Sequence, residues 1–200
     1  MNTAPELTPP WQLMLGLANS QDAPALEALI ESIGPAEAFR ALVHLTTNDR
    51  EKILTTLTPA EAADLIEEIP DEHAADLIEQ LPVEDAASII AEMPSADQAD
   101  VLSELNDKNV EAILAVMEPE VASDARQLIS YSGDVAGGLM ATQFISFDAQ
   151  TSVGDAIDQM SELVNDEAVD DASIYVVSRS GKLRGSAILR QLFMTPLKTK

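Results

Sequence analysis

The chain carries a repeat of apolar and polar positions with a period of twelve residues. Four consecutive rows starting at Leu57 read LTPAEAADLIEE, IPDEHAADLIEQ, LPVEDAASIIAE and MPSADQADVLSE. Two diverged rows precede them and two follow. Eight rows therefore begin with an apolar residue: Ile33, Leu45, Leu57, Ile69, Leu81, Met93, Leu105 and Met117. This regularity predicts a stack of similar units.

Each row is predicted to form one short helix and one tight turn. Thr58 and Glu61 have the spacing of a helix capping box. Within a row the apolar positions, such as Ala62, Leu65 and Ile66, lie on one helical face. A helix this short cannot bury its apolar face alone, so neighbouring helices must stack into a right- or left-wound superhelix. Four rows have proline near their start, where a helix tolerates it: Pro59, Pro70, Pro82 and Pro94.

The opposite face of these helices is acidic. The fifth, eighth and twelfth positions of a row line up along the helix. Two rows place only carboxylates there: Glu61, Asp64 and Glu68 in one, and Asp97, Asp100 and Glu104 in the other. Residues 53 to 107 contain no Lys or Arg. Such carboxylates repel one another, which favours a divalent cation with oxygen ligands, either Mg²⁺ or Ca²⁺. A merely solvated face or a basic partner is the alternative.

The pattern changes after the repeat. The segment YSGDVAGGLM at residues 131–140 breaks the helical pattern without matching a phosphate-binding glycine motif. A mixed unit is then predicted in the order strand (144–147), helix (from Ser152), strand (173–178), strand (182–188) and helix (189–194). Its acidic loop at 165–171 is a weaker candidate for cation binding.

The composition of the chain excludes several classes of function and partner. The formal net charge is −24, which argues against nucleic acid and anionic membrane surfaces as partners. Cysteine is absent, so disulfides, zinc thiolates and thiol nucleophiles are excluded. No run of about 18 apolar residues is present, so no membrane span is expected. The N-terminus does not resemble a signal peptide.

The repeat and the AGGLM junction, followed by a unit that looks like one CBS motif, together resemble the MgtE family of magnesium transporters. The resemblance implies an N-terminal segment at 1–20, a superhelical N domain at 21–131, a junction at 132–140 and the first CBS motif at 141–200. The fold class is then mainly α, with a partial α/β CBS motif. A second CBS motif, a linking helix and a transmembrane domain are missing, so we expect a fragment or a short paralogue.

The resemblance also implies a mechanism and a location. In the family, intracellular Mg²⁺ binds between the N domain, the CBS pair and the linking helix, screens their carboxylates and closes the pore. The chain is then expected on the cytoplasmic side of the membrane, as the soluble regulatory part of a homodimeric transporter. It would not transport the ion alone or contact the membrane directly. The sequence does not rank Mg²⁺ against Mn²⁺ or Ca²⁺.

The metal ligands that the resemblance implies are Asp64, Asp97, Asp100 and the carbonyl of Gly138. Glu61 and Glu104 join them as members of the acidic face. One further acidic family position falls on Ala96, beside Asp97, so a ligand is lost or displaced by one residue.

Some CBS pairs bind adenine nucleotides, including pairs in this family. The places of the usual ribose contacts hold Ile188 and Gln191, so this motif alone is expected to bind nucleotide poorly.

Two other functions compete with cation sensing. An enzyme is disfavoured because His44 and His73 are the only histidines, and no catalytic triad, metalloprotease motif or P-loop is present. A protein-interaction scaffold of stacked helices, resembling flagellar motor-switch proteins or a stand-alone CBS protein, would need no metal. The CBS-like half argues against the motor-switch interpretation.

Overall fold

The computed structural model describes residues 8–133, 135–142, 144–163 and 173–199. The chain divides into two compact units, Met1–Met140 and Ala141–Lys200. The acidic loop predicted at 165–171 lies outside the described residues.

The described part of the first unit consists of short helices. Their bounds are α1 Pro10–Ser20, α2 Ala23–Ile33, α3 Pro35–Val43, α4 Thr47–Leu54, α5 Pro59–Glu67, α6 Asp71–Ile78, α7 Val83–Glu92, α8 Ser95–Glu104, α9 Asp107–Val116 and α10 Pro119–Ile129. A 3₁₀ turn, Ala136–Leu139, follows them.

The predicted rows correspond one to one with α3 to α10, so the twelve-residue repeat is confirmed as one helix per row. The capping box at the start of α5 is also confirmed. The Thr58 backbone N–H donates to the Glu61 carboxylate at 2.7 Å, and the Glu61 N–H donates to the Thr58 hydroxyl at 3.3 Å. These bonds satisfy two N–H groups that a helix start otherwise leaves unpaired.

Alternate helices pack against each other and form two layers. In one layer α5 packs on α7 and α7 on α9; in the other α6 packs on α8 and α8 on α10. Ala62 and Ile66 are fully buried and Leu65 is nearly so, as the repeat predicts. Alanine on the buried face lets helices approach closely, so one continuous core extends through the stack. At the N-terminal end α1 packs on α2, α3 and α4, and Trp11 lies partly buried against this core.

The second unit has the predicted element order. Its elements are β1 Ile145–Asp148, α11 Val153–Leu163, β2 Ser173–Val177, β3 Leu183–Ile188 and α12 Leu189–Phe193. The sheet order is β1-β2-β3, with β1 parallel to β2 and β2 antiparallel to β3. A small core includes Ile145, Phe147 and Ile174 from the strands and Met160 from α11. The assignment of this unit as a CBS motif stays a prediction.

Core burial should dominate the stability of the first unit. Ile90 on α7 is fully buried. Ile90→Ala is therefore expected to lower the free energy of unfolding by about 2–5 kcal/mol, measured by urea denaturation. Val116→Ala on α9 is the control, because Val116 is half exposed. A similar loss in both variants would mean that burial within the stack does not determine stability.

The capping box should make a smaller contribution. Thr58→Ala removes the hydroxyl that caps α5 and is expected to cost about 0.5–2 kcal/mol in the same measurement. In the control Thr55→Ala, the lost hydroxyl donates to the Glu51 and Lys52 carbonyls at the end of α4 and caps no helix start, so little change is expected. Equal effects would show that the cap adds nothing to stability.

Candidate functional site: a cluster of carboxylates on α5, α6 and α8

A group of carboxylates gathers where three helices of the first unit meet. Asp97 and Asp100 lie on α8, one turn apart. Asp71 is the first residue of α6, which packs directly on α8. Asp64 and Glu67 lie on α5. We call these five residues the central cluster. Packing between alternate rows explains why Asp71 lies near the α8 carboxylates, whereas Asp64 and Glu67 belong to α5 in the other layer.

Partial burial and neighbouring carboxylates raise the pKa values of the two α8 members, Asp97 and Asp100. Partial burial is the main reason that the pKa of Asp97 lies above its ordinary value, and the nearby charge of Asp71 adds to the rise. The pKa of Asp100 is raised by burial first, and then by Asp71 and Asp97. Both shifts mean that the ionised form is disfavoured in the folded protein.

Glu67 connects α5 to this group. Burial is again the largest cause of its raised pKa, followed by the charges of Asp97, Asp64 and Glu68. Repulsion therefore extends across the surface from α5 to α8. A positive charge placed here would stabilise every member at once.

A second acidic group borders the first. A cleft of about 180 Å³ is lined by Glu27 and Glu31 of α2, by Glu61, Asp64 and Glu68 of the α5 region, and by the apolar residues Ile30, Pro35, Leu57 and Leu65. Glu27 has a raised pKa, chiefly because its carboxyl group shares a hydrogen bond with that of Glu61, and further because that neighbour is negatively charged. Asp64 lines this cleft and is also a member of the central cluster, so it connects the two acidic groups.

No basic side chain neutralises the central cluster among the described residues. The two ion pairs among the described residues lie outside the cluster. They join Arg40 to Glu37 at 3.1 Å and Arg126 to Glu111 at 3.7 Å. In the same part of the chain, no three acidic or histidine side chains are arranged to hold a metal ion directly. The donors are all oxygens, which suits a hydrated Mg²⁺ that keeps several of its waters.

The six predicted ligands do not form one site. Asp97 and Asp100 lie together, and Asp64 borders them. Glu61 lies in the neighbouring cleft, where its carboxylate accepts the capping bond of α5. Glu104 is exposed at the end of α8, and no described interaction connects it to the cluster.

Gly138 lies in the 3₁₀ turn, which packs against α8 and α10. A Cβ atom at this position would lie 2.5 Å from the Ser132 carbonyl oxygen and 2.8 Å from the Gly133 Cα. Glycine is therefore required here for close backbone packing, whether or not an ion binds. Coordination of an ion by its carbonyl stays a prediction.

Two cluster members, Glu67 and Asp71, were missed by the sequence analysis, as was Glu27 in the cleft. Asp71 occupies the third position of its row and Glu67 the eleventh, outside the positions that were aligned. The signal that would find Asp71 is the spacing of two rows between it and the α8 carboxylates. That signal has meaning only once alternate helices are known to pack together.

Other candidate residues lie apart from the cluster. The His73 ring contacts the Phe39 ring, with centroids 5.3 Å apart, and His44 is exposed. Ile188, at the end of β3, is about half exposed, and Gln191 in α12 is exposed.

Comparison with known proteins establishes the family. The model of the MgtE intracellular N domain matches residues 33–134. The chain therefore belongs to the MgtE family. This is a family of transporter regulatory domains and not of enzymes. No curated protein sequence matches the chain significantly.

Solved structures extend the MgtE likeness to both units. The soluble part of a magnesium transporter is 25% identical, with a TM-score of 0.79, over 95% of this chain and 75% of that one. The cytosolic domain of the Mg²⁺ channel MgtE in complex with ATP is also 25% identical, with a TM-score of 0.79. That match covers 94% of this chain and 77% of the other chain. No helix in the described ranges combines the length and the apolar run that a bilayer span needs.

The raised pKa values predict how stability depends on pH in this MgtE domain. The folded state binds protons at Glu67, Asp97 and Asp100 more readily than the unfolded chain, whose ordinary values are 4.5 for Glu and 3.8 for Asp. Their contribution to stability is therefore present below these values and is lost as pH rises through the folded-state pKa values. We expect the melting temperature, followed by circular dichroism, to fall as pH rises above these ordinary values.

Asp97→Asn combined with Asp100→Asn should flatten this slope and raise the melting temperature at pH 7 by about 1–3 °C, since like-charge repulsion is removed. The matched control is Asp85→Asn with Glu92→Gln on α7, which removes two carboxylates of the other layer. If both double variants flatten the slope equally, net charge rather than the cluster governs the response.

Proposed function

We propose that this chain is the regulatory, Mg²⁺-sensing region of an MgtE-type magnesium transporter. Mg²⁺ binding between acidic faces would close the pore of the parent protein, and this chain alone would not carry the ion. Membership of the MgtE family supports the proposal, as do the two similar structures, one of which is the soluble part of a magnesium transporter.

The observation that carries the proposal is the un-neutralised repulsion within the central cluster. Asp97 is half-buried and the other members are exposed. The pKa values of Glu67, Asp97 and Asp100 are raised, because these groups are partly desolvated and lie near other carboxylates. A bound divalent cation offsets the electrostatic cost of holding ionised carboxylates close together. It favours the conformation that brings the most carboxylates around it. The cluster therefore has the electrostatic property that a cation-driven switch requires.

The binding ion is proposed to be Mg²⁺ and to remain partly hydrated. Mg²⁺ loses its waters reluctantly and is usually held by one or two carboxylates together with retained water. Asp97 and Asp100 supply two carboxylates from one helix face, and Asp71 supplies a third from α6. Mn²⁺ or Ca²⁺ would accept the same oxygen donors.

The remaining ligands are proposed to come from other parts of the parent transporter. These are a second CBS motif, a linking helix and the transmembrane domain, in a homodimer whose regulatory part lies on the cytoplasmic side of the membrane. A partner face that adds further carboxylates would bind the cation more tightly than this chain alone. Affinity for Mg²⁺ should accordingly be modest in the isolated chain.

The direct test is thermal unfolding in MgCl₂, compared with NaCl at matched ionic strength. A ligand that prefers the folded state stabilises it, and each kcal/mol should raise the melting temperature by about 2–4 °C in a chain of this size. We expect Mg²⁺ at millimolar concentration to raise the melting temperature more than NaCl does. Asp97→Asn with Asp100→Asn should remove the excess.

The α7 double variant, Asp85→Asn with Glu92→Gln, should keep the Mg²⁺-specific excess. Identical curves in MgCl₂ and NaCl would contradict sensing by this chain. They would favour instead a scaffold of stacked helices that binds a partner protein without metal.

A further inference from the structure

The positive charge of this acidic protein is concentrated near its C-terminal end. The chain has 35 acidic residues and 11 Lys or Arg. From Ala172 onward it has no acidic residue and six basic ones: Arg179, Lys182, Arg184, Arg190, Lys198 and Lys200. Three of these six belong to the connection between β2 and β3 or to the first residues of β3.

The topology of the second unit brings two of these arginines to one place. Because β1 and β2 are parallel, their carboxyl ends lie at the same edge of the sheet. The antiparallel strand β3 begins at that edge, where Leu183 pairs with Val177. A cleft of about 660 Å³ opens there and is lined by Asp148, Ala149, Gln150, Ser178, Arg179 and Arg184.

Hydrogen bonds fix the backbone around this cleft. The Ala149 N–H donates to the Val177 carbonyl at 2.8 Å, which joins the ends of β1 and β2. The turn after β2 is closed by two bonds to Ser178: the Gly181 N–H donates to its carbonyl at 2.8 Å, and the Lys182 N–H donates to its hydroxyl at 3.1 Å. Gly181 has a φ of 73°, a conformation that suits glycine in such a turn. Arg179 is therefore presented from an ordered turn.

The two guanidinium groups in the cleft have no ion-pair partner among the described residues. Both arginines are exposed, and both described ion pairs involve other residues. The single carboxylate of the lining, Asp148, accepts a hydrogen bond from the Gln150 N–H at 2.8 Å. Within the described residues two neighbouring arginines thus have no ion-pair partner, although carboxylates greatly outnumber cations in the sequence.

We propose that this cleft binds a phosphate group through Arg179 and Arg184. Guanidinium groups present paired donors that match two oxygens of a phosphate, and two arginines offset its charge of about −2. The cleft lies at the opposite end of β3 from Ile188 and Gln191, so it is separate from the place where the sequence analysis considered nucleotide binding. The proposal does not depend on Mg²⁺ sensing.

The net charge of −24 does not prevent such binding at short range. Charges separated by more than about 8 Å are largely screened at physiological ionic strength. A phosphate in contact with two guanidinium groups interacts mainly with them, whereas an extended anionic surface also meets the rest of the protein. The group can belong to a free phosphate compound or to a lipid headgroup, and the two sources require separate measurements.

The test uses the whole chain in metal-free buffer at about 0.15 M salt. Calorimetric titration with inorganic pyrophosphate tests whether the cleft binds a free phosphate compound. Co-flotation with phosphatidylglycerol vesicles, compared with phosphatidylcholine vesicles, tests whether the cleft binds a lipid headgroup. In whichever arm shows binding, Arg179→Gln with Arg184→Gln should weaken it about tenfold or more, because charge-assisted hydrogen bonds are lost.

Arg190→Gln with Lys198→Gln is the matched control, because it removes the same charge from the same unit outside the cleft. It should leave the affinity within about twofold, which corresponds to less than half a kcal/mol. Circular dichroism spectra of the three proteins should coincide, which shows that the variants fold. The proposal is overturned if neither pyrophosphate nor vesicles bind, or if both double variants weaken binding equally.

Discussion

Packing between alternate helices is the interaction on which the first unit depends. No helix of eight to eleven residues holds its shape in water alone, since forming its first turn costs more than its few hydrogen bonds return. Burial of alanine, leucine and isoleucine against the next helix but one supplies the missing stability. The turns can then stay short, and the caps have only to satisfy the helix ends.

The same packing creates the candidate site. Each helix buries one face in the core and exposes the opposite face to solvent. The twelve-residue period that repeats the apolar positions also repeats acidic positions on the exposed face. Helices two rows apart lie side by side, so Asp71 meets Asp97 and Asp100 although more than two dozen residues separate them in sequence. The stability of the stack is what keeps mutually repelling groups close together. Core burial is worth more than the repulsion, which costs a few tenths of a kcal/mol per acidic pair.

Much of this fold could be predicted from the sequence, because the repeat is regular and its helix starts carry proline or a capping box. The order of elements along the second unit was predictable as well, since β-branched residues and Gly181 delimit them. The membership of the acidic cluster was only partly predictable. Asp97 and Asp100 follow from helical spacing, but Asp71 and Glu67 require knowledge of which helices touch. The tight backbone approach at Gly138 depends on Ser132 and Gly133, and no spacing rule reveals it.

The two-layer arrangement also constrains how this protein can change length during evolution. Loss or gain of one twelve-residue row would move every later helix into the other layer relative to the earlier ones. If that row lay between α6 and α8, these two helices would no longer share a side. Loss or gain of two rows would leave each helix in its original layer and preserve the relation between them. Insertions and deletions in this stack should therefore be tolerated in multiples of about 24 residues, a parity rule imposed by packing between alternate units.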